Sequence, residues 1–331
     1  MATINPDPVV VPKDEVPGDG DSSLGDDTAS STQSVSSSIL DYRRENGRTY
    51  HRYKDGKYNF PNDDEESDRL DLQHHLFLLT FDNKLGLAPP NRPGAKVRTV
   101  LDVGTGTGVW AMDYGDEHPE AKVIGIDLSP IQPNFVPINV EFLVDDIEEP
   151  WSYRQPFGYI HSRMMTSSIA KWPDYLRDVY ENLSPGGYFE MQEMDLMTKS
   201  DDGTLRDDHA LSRWLQLLGE AMVKLGRPFQ DMMSLKEIMA EVGFVDIVVT
   251  SFKWPTNTWP RDQKHKELGA WNNENISIGL EGLTMAPLTR AHGWTQKEVL
   301  VFLADVRKDL SDKAIHAYWP IYSIYGKKPE A

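Results

Sequence analysis

The chain has 331 residues, and 34 Lys and Arg against 52 Asp and Glu give it a formal charge of −18. A field of that sign repels phosphate backbones, so nucleic acid is not an expected substrate. There is no cysteine, which excludes disulfides, thiolate metal sites and cysteine nucleophiles. No run approaches the roughly 20 apolar residues of a bilayer span, and the acidic, Pro-rich first residues hold no apolar signal core. An intracellular protein without membrane contact is the expectation, cytoplasmic or, in a regulatory role, nuclear.

Residues 1–38 are rich in Pro, Gly, Ser and Asp and read as a disordered acidic tail, because so little apolar surface cannot offset the entropy of ordering. Residues 39–96 read as an N-terminal helical cap segment. Its Tyr, Arg and Lys cluster at 42–60 precedes an amphipathic helix over 68–85, where Leu70, His74, Phe77, Phe81 and Leu85 fall on one face. A core follows over 97–253. Apolar runs at 97–103, 122–126, 140–144, 157–161 and 188–192 alternate with helical patterns, and 245–252 is a further β-rich run. That alternation predicts a mainly parallel, seven-stranded Rossmann-like α/β sheet with helices on both faces. Helices are expected at 211–225 and at 234–242, the second closed by Gly243. Residues 254–295, rich in Trp, Asn and Gly with weak periodicity, read as an inserted substrate or lid segment. Residues 296–331 complete the core with a helix, started by a Thr295/Glu298 capping box, and a last strand whose Pro320 suggests an edge position or a bulge.

The strongest motif is Val100-Leu-Asp-Val-Gly-Thr-Gly-Thr-Gly108. Gly104, Gly106 and Gly108 follow an apolar strand and open a helix, with Thr105 between them. Such a turn lets backbone approach a ligand and aims free N–H groups at it. The G-x-G-x-G spacing differs from the G-x-G-x-x-G of dinucleotide folds. It suits the amino-acid end of S-adenosylmethionine, whose ammonium Asp102 would meet. Asp127, with Leu128 beside it, ends the second strand, where a carboxylate accepts from ribose hydroxyls. Asp145, Asp146 and Ile147 end the third, where a carboxylate takes the adenine amino group and a backbone N–H faces the ring. Three acidic strand ends in succession sit where open α/β sheets bind ligands. A nicotinamide dehydrogenase is disfavoured by the glycine spacing and by the lack of a Tyr-x-x-x-Lys pair.

The chain resembles the fungal LaeA-like class I methyltransferases associated with secondary metabolism. The resemblance is carried by Tyr42–His51, Pro61–Asp64, Arg69–His75, Asp145–Trp151, Tyr159–Arg163, the Ser184-Pro-Gly-Gly turn and Gly293–Glu298. It implies a core that binds S-adenosylmethionine beneath a helical cap, and an acceptor that is either a small molecule or, for a regulatory member, reached through protein partners.

Methyl transfer proceeds by alignment, and needs a base only for a protonated nucleophile of high pKa. His161 and Glu193, at the ends of the fourth and fifth strands, are the candidate catalytic groups. For His161 the competing role is holding the cofactor or the sheet end. Arg163 suits an acidic substrate. Tyr50, in the segment expected to fold over the site, would cap the cofactor. Trp271 and Asn275 would wall the acceptor, among other Trp and Asn residues of 254–285. No histidine spacing fits a metal site, so none is expected.

Overall fold

The computed structural model describes residues 42–330; the tail expected over 1–38 lies outside them. A short hairpin, β1 (Arg43–Glu45) and β2 (Arg48–Tyr50), precedes helix α1 (Asp64–Thr80). The α/β part runs β3 (Thr99–Val103), α2 (Val109–Glu117), β4 (Lys122–Asp127), β5 (Val140–Val144), β6 (Phe157–Arg163), α3 (Trp172–Asn182) and β7 (Leu183–Met194). Two helices, α4 (Ala210–Lys224) and α5 (Met232–Val242), lead to β8 (Val245–Pro255). Helices α6 (Gln263–His292) and α7 (Gln296–Ser311) precede β9 (Tyr318–Lys327).

Helix α1 starts four residues before its expected position. The Asp63 side chain caps it by accepting from the Glu66 N–H, and Asp64, Glu65 and Glu66 place negative charge on the positive end of the dipole. Positive φ at Asp82 and Asn83 stops the chain from continuing it to 85.

Seven strands form one sheet in the order β5-β4-β3-β6-β7-β9-β8. The pairs β3/β4, β4/β5, β3/β6 and β6/β7 are parallel, while β9 runs antiparallel to both neighbours. The expected seven-stranded Rossmann-like sheet is therefore present. Both faces of β3 are buried: Val100 packs with Trp110 and Tyr114 of α2. Leu101 and Val103 pack with Tyr175, Leu176 and Leu235 from α3 and α5. This period-two partition is what parallel strands between helical layers require. A third apolar cluster joins α1, α4, α6 and α7 to Trp254, Trp319 and Ile321, forming the helical cap over the carboxyl ends of the strands.

Two expectations are corrected here. Strand β9 is not an edge strand. The Pro320 carbonyl accepts from Asp195 N–H, beyond the last β7 pair at Met194/Ile321, so the donor that proline lacks falls past the end of that ladder. The segment 254–295 is mostly the 30-residue helix α6. Its buried face sets Gly269, Asn272, Asn275, Gly279, Gly282 and Thr284 among Leu268, Ile276, Leu280, Met285 and Leu288, and the small and polar residues blur the hydrophobic periodicity. The small residues admit close neighbours: a Cβ at Gly269 would lie 2.1 Å from the Asn257 carbonyl oxygen, and one at Gly279 would lie 2.4 Å from Arg69 Cδ. Among the described residues no helix is long and apolar enough to cross a membrane.

Candidate active site

The carboxyl ends of β3, β4, β5 and β6 open into one cavity beneath the cap. It runs from the glycine turn to an apolar chamber walled by Trp214, Leu218 and Met222 of α4, Phe229, and Ile276 and Pro287 of α6. Gly104, Thr105, Gly106, Asp127, Leu128, Asp145, Asp146, Ile147, His161 and Arg163 all line it, so residues as far apart in sequence as Gly104 and Arg163 converge as the strand-end argument expects.

Gly106 (φ +57) and Gly108 (φ +81) both hold left-handed backbone, with different neighbours. In front of Gly106, a Cβ would meet only Leu70 Cδ1 of α1, at 3.4 Å, leaving a cradle into which a ligand's polar end fits. At Gly108, which caps α2, a Cβ would sit 2.3 Å from the Phe142 ring of β5. Gly108 is outside the cavity lining; it lets α2 close onto the sheet.

Asp127 accepts from the Gly106 N–H at 2.9 Å and the Ser129 N–H at 3.0 Å, which fixes the glycine turn against the end of β4. Burial pushes its carboxyl up to about 6 against those two bonds. At the end of β5, Asp146 is buried and Asp145 exposed, so Asp146 is the carboxylate turned inward. It accepts from the Glu148 N–H and from Lys57 Nζ at 2.5 Å. Lys57, Tyr58 and Asn62 line the cavity, and the Asn62 amide donates to Ser129 Oγ at 3.2 Å. The N-terminal segment is thus laid over the site as expected, by these residues rather than by Tyr50.

Tyr50 itself is corrected. It is 1% exposed, away from the cavity lining, with the Arg290 guanidinium 4.9 Å above its ring. Asp102, expected at the ammonium, gives one oxygen to His161 Nδ1–H at 2.7 Å and the other to Thr105 Oγ at 2.6 Å. The His161 ring stacks on Trp110, centroids 3.7 Å apart and planes 7° apart, and its Nε2 has no partner among the described residues. Burial holds this imidazole below its ordinary value despite Asp102, so it is neutral at neutral pH.

Glu193 is corrected too. It lies outside the lining and accepts from the Met165 N–H at 2.9 Å and the Thr166 N–H at 3.1 Å. It brackets the turn after β6, where Met164 has φ +56. Burial raises its carboxyl to about 8. Trp271 packs its edge on His75, partly exposed. Asn275 accepts from Arg69 Nη1 at 3.0 Å. Neither lines the cavity, whereas Arg69 does. The α4 wall was missed from sequence, although its apolar face at Leu211, Trp214, Leu215, Leu218 and Met222 was the available signal.

A mainly parallel sheet of this order, with a glycine turn after its first parallel strand and carboxylates at the next two strand ends, defines a class I S-adenosylmethionine-dependent methyltransferase. The family model "Methyltransferase domain" matches residues 72–249. The chain is 42% identical over 304 residues to methyltransferase pytC of Aspergillus terreus, covering 92% of this chain and 93% of that one. It is 38% identical to the probable methyltransferase tdiE of Emericella nidulans, covering 81% and 83%. It is 34% identical to the protein-methionine methyltransferase laeA of the same fungus, covering 87% and 77%. The chain belongs to the fungal LaeA-like family of class I methyltransferases.

Proposed function

We propose that this enzyme methylates a small organic acceptor in fungal secondary metabolism. The observation that carries the reading is the continuity of the cavity: the glycine turn and strand-end carboxylates open directly into an apolar chamber walled by α4 and α6. Such a chamber buries a small apolar body and leaves orientation to a few polar groups.

The open cradle at Gly106, the inward Asp127 and Asp146 and the backbone at Ile147 fit the amino-acid, ribose and adenine parts of S-adenosylmethionine. When bound, that cofactor supplies an electrophilic methyl group for in-line displacement. The protein's work is then alignment and exclusion of water. The Asp102–Thr105–His161 chain stiffens the junction of β3 and β6, Trp110 fixes the imidazole plane, and the segment 57–62 roofs the cavity. His161, neutral and with Nε2 unpaired, orders the wall between cofactor and acceptor. No group of this set has to take a proton if the nucleophile arrives ionised.

A second reading rests on relatives named as secondary metabolism regulators, one of them 38% identical over 291 residues, from Cochliobolus heterostrophus. In that reading the chain keeps the fold and acts on or through a protein. One experiment tests both. Calorimetry first measures S-adenosylmethionine and NAD binding. Radiolabelled methyl donor is then incubated with the protein and a fungal extract split into small-molecule and macromolecular fractions. Label in an organic-soluble product supports the proposal; label confined to protein supports the second reading; absent cofactor binding removes both.

A further inference from the structure

Among the described residues two arginines, Arg69 and Arg163, line the cavity, and Arg48 and Arg227 lie outside that lining. Arg69 meets Glu66 at 2.6 Å, Arg48 meets Asp63 at 2.6 Å, and Arg227 meets Glu148 at 2.7 Å. Arg163 forms no ion pair among the described residues. Its Nε donates to Gln192 Oε1 at 2.8 Å and its Nη1 to His74 Nδ1 at 2.9 Å. Both acceptors are neutral and both are held from behind. The Gln192 amide donates to the Leu85 carbonyl at 2.8 Å, and His74 Nε2–H donates to Asp113 at 2.9 Å. The Phe77 ring lies 4.4 Å from the guanidinium carbon. The fork is therefore locked in one orientation, with Nη2 buried and without an acceptor among the described residues.

Nearby carboxylates are already committed. Asp102 serves His161 and Thr105. Glu190 accepts from the Leu87 and Ala88 N–H groups, Tyr159 and Ser323. Burial without a contacting anion brings the Arg163 guanidinium down to about 10. A buried donor left unpaired on a cation is costly, and the cavity that Arg163 lines offers no other anion at this position.

We propose that Arg163 is the cavity's receptor for the carboxylate of a bound small molecule, through the free Nη2 edge of a pre-oriented guanidinium. This deepens the methyltransferase reading and rests on it. The carboxylate has two sources: the amino-acid end of the cofactor, or an apolar monocarboxylic acceptor whose body fills the chamber between Trp214, Leu218 and Ile276. A planar fork with one free edge, against apolar walls, suits a carboxylate.

The test uses two matched pairs on the full chain: S-adenosylmethionine against its decarboxylated analogue, and, with S-adenosylhomocysteine saturating, 4-phenylbutyrate against 4-phenylbutyramide. Titration calorimetry reads all four for the parent, Arg163→Gln and Arg163→Lys, with melting curves confirming the fold. A parent preference of at least about tenfold for the carboxylate in one pair, about 1.4 kcal/mol, is expected. It should vanish in Arg163→Gln and survive in part in Arg163→Lys. Preference in the first pair assigns the cofactor, and in the second the acceptor. If the parent distinguishes neither pair, or Arg163→Gln weakens both members of a pair equally, the proposal is overturned. The parent comparison holds even if the variants unfold. Absent binding of either cofactor form would instead sink the methyltransferase reading, leaving the phenylbutyrate pair to judge Arg163 separately.

Discussion

Asp102 Oδ1 lies 2.7 Å from His161 Nδ1, and neither residue is more than 3% exposed. The carboxylate of the glycine-turn strand thus selects the tautomer of the histidine on the neighbouring strand, with Asp102 and His161 directly paired in register. Because burial holds the imidazole below 6.5, it is already neutral at pH 7.

His161→Ala should therefore lower cofactor affinity and single-turnover rate together, and the parent's rate should show no rise through pH 6.5. Single-turnover kinetics with saturating cofactor across pH check this. A fall in rate alone of about 10²–10⁴-fold, the scale of general-base catalysis, at unchanged affinity would assign His161 a proton-transfer role instead.

The glycines of the turn should separate binding from folding. Gly106→Val should nearly abolish S-adenosylmethionine binding while the fold survives a strain cost of about 1–2 kcal/mol for left-handed backbone. Gly108→Ala adds to the same strain a Cβ 2.3 Å from Phe142, so about 1–3 kcal/mol of overpacking should follow. Chemical denaturation should rank Gly108→Ala as the less stable protein. Unchanged cofactor affinity in a folded Gly106→Val would misplace the cradle.

Glu193 should make stability fall as pH rises. Its folded pKa, about 8, lies above the ordinary 4.5, so the native state binds more protons than the unfolded chain between these values. Asp127 contributes in the same sense only up to about 6, and the buried His51, His74 and His161, held below 6.5, act in the opposite sense until the unfolded imidazoles have lost their protons, which leaves the range from about one pH unit above 6.5 up to 8 to Glu193. Denaturant midpoints of the parent should decline there, with a slope of at most about 1.4 kcal/mol per pH unit, and Glu193→Gln should flatten it. Equal slopes in the two proteins would contradict the raised pKa.

Lys57 ties the N-terminal segment to Asp146 across 89 positions, beside the Asn62–Ser129 bond. Lys57→Met should loosen this roof and speed cofactor release about tenfold, equivalent to about 1.4 kcal/mol, as measured by stopped-flow displacement. An unchanged release rate would show that the roof does not retain the cofactor.

What the sequence determined by itself was local. The apolar strands, the glycine turn and the acidic residues at successive strand ends are contiguous signals, and the fold converts strand ends into neighbours by topology alone. Gly104, Gly106, Asp127 and Asp146 were legible for that reason. The tertiary structure decided what depends on distant partners. Asp102 and Glu193 look alike as strand residues, yet one is turned to a histidine 59 positions on and the other to two N–H groups of a preceding turn. Helix α6 was hidden because its inner face interrupts Leu268, Ile276, Leu280, Met285 and Leu288 with Gly, Asn and Thr, which bury by close approach and hydrogen bonds such as Asn272 to the Pro255 carbonyl and blur the apolar period. Arg163 was visible as a cation. That it lacks a counter-charge among the described residues is a property of everything packed around it: the nearby carboxylates had to be spent on other donors before this one charge was left unpaired beside the cavity.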